Sequence, residues 1–355
     1  MTKQILKSES INQKRWKKFK SIKRGYYSFI LIIGLYILSF FLPLFINSKA
    51  IVVHYEGNFY FPAFSSVIPG MNDYYDGTMF DQEAPGATNF RQLQKKWTDT
   101  NNWVIMPIYP FDPYEDITNN ENRMYEPPSM THWFGTDNTG RDVFARMCYA
   151  FNISISFALA LTVITYLIGI TIGGAMGYFG GKFDLFFQRF IEIWSSLPFL
   201  FVVIIISSIL TPSFFLLIFI YTLVSWIFLT YYMRAEFYRE KSKDYVSAAI
   251  SMGQSNTKII FRHILPNSLV PVITYFPFSI IGGIVGLISL DFLGFGLPPP
   301  TPSWGQILYV GLANISKWWM VFAPVIAQFF TLLCIVFIGE AVREAFDPKI
   351  YSRLR

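Results

Sequence analysis

The residues with the most chemistry to offer lie in one polar segment between two apolar runs. It reads Asp244-Tyr-Val-Ser-Ala-Ala-Ile-Ser-Met-Gly253, then Gln254 to Arg262, then His263-Ile-Leu-Pro-Asn267. The spacing predicts a short helix closed at Gly253, a residue that tolerates positive φ. A second helix is expected from about Ser255, a suitable N-cap, to Leu265, with Pro266 limiting its continuation. Ala248 and Ala249 would give a small-faced surface that a partner could approach closely, flanked by Asp244 and Ser247. Such a segment suits recognition rather than catalysis.

Catalytic patterns are absent from the sequence. His54, His132 and His263 are far apart, and there is no HExxH, no GxSxG and no paired-carboxylate spacing. Gly180-Gly181-Lys182 resembles the tail of a phosphate loop, but Met176 occupies the place of the first glycine. Phe183 stands where a magnesium-binding Ser or Thr belongs. The chain is therefore expected to hold no ATPase site, no metal and no cofactor. Cys148 and Cys334 are too few for a disulfide framework and read as small apolar packers.

The elements around this segment are membrane spans. Of 355 residues, 53% are hydrophobic and 15% charged, against about 25% charged in a typical soluble domain. Six apolar runs have bilayer length: 26–46, 151–179, 190–210, 213–233, 268–290 and 318–338. The third contains Ser195, Ser196 and Pro198 and is expected to kink or to begin at an interface. The first follows nine basic residues and is too long for a signal-peptide core, so it reads as a retained span. Twenty-one of the 29 Lys and Arg residues fall in segments that would share one side with both termini. Thirteen acidic residues cluster between Glu56 and Asp142 on the other side. Both termini are thus expected inside. The stretch from Ile11 to Arg24 would rest on the inner surface against anionic lipid, so the positive charge points to membrane rather than nucleic acid.

The resulting architecture is an all-α polytopic membrane protein of about six transmembrane helices. A basic segment 1–25 precedes the first helix, 26–46. An external insertion and lead-in, 47–149, contains a small aromatic lobe with β-like pieces at Ile51–Tyr55 and Trp103–Tyr109. A core of five helices, 150–340, carries the cytoplasmic loop 234–267, and a tail 341–355 closes the chain. Glu192, Asp291 and Glu340 fall only at span ends. An ion-coupled carrier usually needs a buried ionisable group near the midplane.

Several segments resemble one family. Ala248-Ala249, Gly253 and Leu265-Pro266 have the spacing of the EAA loop of ABC importer permeases, with Ser247 in place of the usual Glu. His263-Ile-Leu-Pro-Asn267 resembles the version found in oligopeptide and dipeptide permeases. His132-Trp-Phe-Gly-Thr-Asp137 with Gly140-Arg-Asp142 is similar to the HPFGTDxxGRD stretch of OppC/DppC-type permeases, Trp133 standing for Pro. Tyr178-Phe-Gly-Gly181, Asp184, Leu290-Asp-Phe-Leu-Gly-Phe-Gly296 and Thr301-Pro-Ser-Trp-Gly305 follow in family order. Asn12 to Tyr27, His54 to Pro62 and Asn102-Trp-Val extend the resemblance to the YejE branch.

The resemblance implies the type I ABC importer permease fold in a bacterial inner membrane. Asp244, Ser247, Ala248, Ala249, Gly253, His263, Leu265, Pro266 and Asn267 would form the coupling loop that seats on an ATPase subunit. Gly135, Thr136, Asp137, Gly140, Arg141, Asp142, Gly294 and Gly296 would be structural motif positions. The implied partners are a second, OppB/YejB-like permease, cytoplasmic ATPase subunits that bind the ATP, and an extracytoplasmic peptide-binding protein. The cargo would be peptides or microcin C-like peptide conjugates. The competing readings are an ion-coupled secondary peptide carrier and a membrane-anchored interaction protein acting through its external lobe.

Overall fold

A computed structural model describes residues 10–65, 68, 75–82, 86–97, 101–115 and 124–347. The ends of the basic segment and of the tail, and parts of the external insertion, lie outside these residues. The described chain is mainly helical. Four helices are long and apolar enough to cross a membrane: α6 (Val143–Phe179), α9 (Phe214–Lys241), the continuous run Asn256–Leu293 and α14 (Trp318–Phe346). Two bent pairs pass the same test as pairs. They are α1 (Ile11–Ser21) with α2 (Lys23–Ser39), bent by 93°, and α7 (Gly181–Ser195) with α8 (Phe199–Ile209), bent by 69°.

Span boundaries depart from the sequence expectation for local reasons. α6 begins at Val143 rather than 151, because the Asp142 carboxylate accepts from the Ala145 amide at 2.8 Å and caps it. The first apolar run is not one helix to 46. It stops at Ser39 and resumes as the short α3 (Leu42–Phe45), with Pro43 in its first turn. The third run bends at Ser196–Pro198 as its proline suggested, but its first limb starts at Gly181. The largest departure is at Pro266, which does not end a helix. α11 (Asn256–Lys258) passes through a π-helical turn, Ile259–Ile264, directly into α12 (Leu265–Leu293). In an α-helix the proline ring clashes with the carbonyl four residues back. The wider π turn, in which the Leu265 amide reaches the Ile260 carbonyl, accommodates it.

The chain divides into two compact units. One comprises Met1–Ile32, Ser156–Leu287 and Phe330–Arg355. Glycines allow its helices to approach closely: a Cβ at Gly173 or Gly177 would come within 2.3 or 2.6 Å of the carbonyls of Thr230 or Arg234 on α9. The Asp184 carboxylate ties α7 to the same helix, accepting from Arg234 Nε and Nη2 at 2.5 and 2.7 Å and from the Tyr238 hydroxyl at 2.9 Å.

The other unit comprises Ile33–Ile155 and Ile288–Phe329. It contains an antiparallel three-stranded sheet, ordered β2 (Asn58–Tyr60), β1 (Val52–Tyr55), β3 (Trp103–Ile105). Two of these strands arise where β-like pieces were expected. Val53 pairs with Tyr60 on one side and Val104 on the other. Period-two alternation sends Val53, Tyr55 and Val104 into a core with Phe80, Phe90, Leu93 and Trp97. Phe90 and Leu93 come from a third piece of the lobe, the helix α5 (Phe90–Lys96). The Tyr55 hydroxyl donates to Asp81 at 2.8 Å, and that bond, with burial and the neighbouring carboxylate charge, raises its pKa to about 12. The lobe thus has its own folded centre.

Candidate functional site

The segment from Lys243 to Asn267 forms a helical hairpin with a hydrogen-bonded base. Its first limb is α10 (Asp244–Ser251). Gly253, at φ +72°, closes it: the Gly253 amide bonds the Ile250 carbonyl at 2.9 Å and the Gln254 amide bonds that of Ala249 at 3.2 Å. This is a Schellman motif, which requires a left-handed residue at that position. Ser255 holds the N-cap position of α11, as expected, but its side chain makes no capping bond.

The hairpin packs through one stripe of α10. Val246 and Ala249 join a buried cluster with Ile259 and Ile264 of the return limb and with Met233 and Phe237 of α9. Ala249 is 1% exposed, which corrects its expected place on a partner-facing surface. At i+3 from Val246 it falls on the buried stripe, while Ser247 and Ala248 face outward. Ile250, Met252 and Phe261 are 51, 70 and 64% exposed. These three apolar side chains were missed in the sequence because small residues, not large ones, carry the motif.

Polar bonds fix the base. The Tyr245 hydroxyl donates to Glu240 at 2.7 Å and accepts from Asn267 Nδ2 at 3.1 Å. Burial, then the Glu240 bond, raises the Tyr245 pKa and keeps the hydroxyl a donor. Asn267 Nδ2 also donates to the His263 carbonyl at 3.0 Å, and the His263 ring bonds Gln254 at 2.8 Å. Tyr178 donates to Asn256 at 2.7 Å. His263 and Asn267 therefore hold the hairpin's shape, and Leu265 and Pro266 lie where it enters α12.

The glycine- and aspartate-rich motif before α6 forms a separate knot. Asp142 Oδ2 accepts from Tyr109 at 2.5 Å and from His132 Nδ1 at 2.7 Å. Burial, then the Asp142 charge, drives the Tyr109 pKa upward, so Tyr109 stays protonated. Asp137 Oδ1 accepts from the amides of Thr139 and Arg141 at 2.8 and 2.9 Å. Gly135 and Gly140 have φ of +69° and +76°. A Cβ at Gly135 would come within 2.3 Å of the Glu126 carbonyl, and the Thr136 carbonyl accepts from Trp319 at 3.3 Å.

Arg146, only 2% exposed, donates to the Pro300 carbonyl and to Gln306 at 3.2 and 2.8 Å. Asp291 accepts from the Leu297 amide and the Ser303 hydroxyl at 2.7 and 2.6 Å. Gly296 is packed so tightly on Asp291 that any Cβ would clash, and Gly294 turns the chain at φ +82°. These carboxylates are occupied by bonds within the protein, as braces would be. Among the described residues no group of three or more His, Cys, Asp or Glu could hold a metal ion.

Apolar helices of bilayer length with a polar helical hairpin between two of them define a polytopic membrane protein. The chain belongs to the family of binding-protein-dependent transport system inner membrane components, whose model matches residues 169–351. It is 38% identical to the inner membrane ABC transporter permease protein YejE of Escherichia coli, over 96% of this chain and 97% of that protein. Identity is also 38% with the peptidoglycan transport system permease protein YejE of Agrobacterium fabrum, covering 95% and 93% of the two chains. The oligopeptide transport system permease protein OppC of Haemophilus influenzae matches at 38% over 68% of this chain and 78% of its own length. The protein is thus a multi-pass inner-membrane ABC permease subunit.

Proposed function

We propose that this chain forms half of the translocation pathway of an ATP-driven importer of peptides or peptide conjugates. A homologous permease supplies the other half, an extracytoplasmic binding protein delivers cargo, and cytoplasmic ATPase subunits bind the ATP. The observation that carries this is the Asp244–Asn267 hairpin. Its inner stripe is locked into the chain's own core, while Ile250, Met252 and Phe261 remain exposed on a base fixed by Tyr245, His263 and Asn267. Exposed apolar side chains on a hydrogen-bonded helical projection suit a groove on a partner. Both termini and this hairpin lie on the cytoplasmic side, in keeping with the basic-residue asymmetry.

Transport needs no bond-making by this chain. ATP drives the pathway by binding the two conformations of the ATPase subunits with different affinity, and the hairpin transmits that difference. Relatives named for oligopeptide and peptidoglycan transport support peptide-bearing cargo. The test is purification from native membranes with mass identification of copurifying subunits, then peptide uptake into vesicles. Copurification of a second permease and ATPase, with ATP-dependent uptake, is expected. Uptake driven by an ion gradient without ATP would contradict the proposal.

A further inference from the structure

Helix α1 leaves α2 at 93° and carries Lys14, Arg15, Lys17, Lys18 and Lys20 with no acidic residue. Ser10 and Gln13 close it with a capping box, so it is a formed helix rather than a frayed extension. Two ion pairs pin it and the start of α2 to the end of α14: Lys18–Glu344 at 2.7 Å and Arg24–Glu340 at 3.0 Å. Phe19 is buried there against Ala341 and Ala345.

This leaves an elbow containing an apolar pocket of about 240 Å³, lined by Trp16, Phe19, Phe29, Val342 and Phe346, with Arg15 among its walls. The Arg15 guanidinium lies 4.6 Å over the Phe346 ring, and its Nε is buried without a hydrogen-bond partner. Among the described residues Arg15 makes no ion pair. Lys20 sits 5.3 Å over the Trp16 ring. Aromatic and apolar walls inside, with the Arg15 and Lys20 cations beside them, match one ligand chemistry: an acyl chain ending in an anionic headgroup.

We propose that this elbow binds one anionic phospholipid of the inner leaflet, with acyl chain in the pocket and phosphate facing Arg15 and Lys20. The proposal rests on the termini being cytoplasmic. A zwitterionic lipid would bring its own cation towards these bases, so charge complementarity selects an anionic headgroup.

The test is native mass spectrometry of the purified transporter, equilibrated with phosphatidylglycerol and phosphatidylcholine of identical acyl chains. The wild-type complex should retain phosphatidylglycerol preferentially, a result that needs no variant. Arg15→Gln and Lys20→Gln should each lower retention roughly fivefold, the scale of one basic residue at an anionic surface. Val342→Trp, which fills the pocket, should lower retention while the subunits still copurify. Equal retention of both lipids by the wild type, or retention unchanged in Arg15→Gln with Lys20→Gln, would overturn the site. Displacement by millimolar inorganic phosphate would assign a free-anion site and overturn the lipid. A thiol reporter at Ser8 that labels from outside would instead overturn the topology, separately from any lipid result.

Discussion

Two adjacent alanines in the hairpin have opposite surroundings, and substitution should separate them. Ala249 is enclosed by Val246, Ile259 and Phe237, so Ala249→Trp overpacks the chain's own core. Its expected cost is about 1–3 kcal/mol, seen as a lower melting temperature of the purified subunit alone. Ala248 faces outward, and Ala248→Trp should stay within about 0.5 kcal/mol of wild type in the same melt. Gly253→Val puts a β-branched residue at φ +72°, a strain of order 1–3 kcal/mol. Trypsin should then cut the adjacent return limb at Lys258 faster than in wild type, whereas Gly253→Asn should cut like wild type because Asn tolerates this backbone. Gly253 was legible in the sequence because one residue type meets one backbone demand. The burial of Ala249 was not, since two small neighbours look alike until a helix phase is fixed.

At the scale of elements, the knot before α6 and the π turn before α12 each position a helix. Asp142→Ala removes the α6 cap and leaves Tyr109 and His132 without their acceptor. Losing a cap and stranding buried donors should cost about 3 kcal/mol together, measured as a fall in melting temperature. Pro266→Ala removes the clash that the π turn accommodates. Residues 259–264 should then relax towards α-helical register and re-aim the hairpin. Spin labels at Ser251 and Ile273 would show a shifted distance distribution, and an unchanged one would contradict this cause for the π turn. Apolar length revealed the spans in sequence, because it follows from bilayer thickness. The ends were less legible, because they depend on particular bonds: Asp142 lengthens α6, and a widened turn carries the helix through Pro266. The Asp184–Arg234–Tyr238 clamp joins residues 50 and 54 positions apart, and of the three only Asp184 belongs to a sequence motif.

For the whole molecule, topology and coupling are the claims to test. With both termini inside, a single cysteine at Ser242 should resist an impermeant thiol reagent in intact cells lacking an outer barrier, and one at Asn101 should label. Reversal of that pattern would place the hairpin on the wrong side for an ATPase. The central claim is that the exposed apolar residues of the hairpin seat in the ATPase subunit. The most direct measurement compares wild type with the Ile250→Asp, Met252→Asp double variant, reconstituted with all subunits, for ATPase association and peptide uptake. Both side chains are exposed in this chain, so its melting temperature should hold. Carrying unpaired carboxylates into an apolar groove should weaken association at least roughly tenfold, since about 1.4 kcal/mol suffices for that factor, and uptake should fall with it. Wild-type association and uptake in this double variant would show that the hairpin is not the ATPase contact.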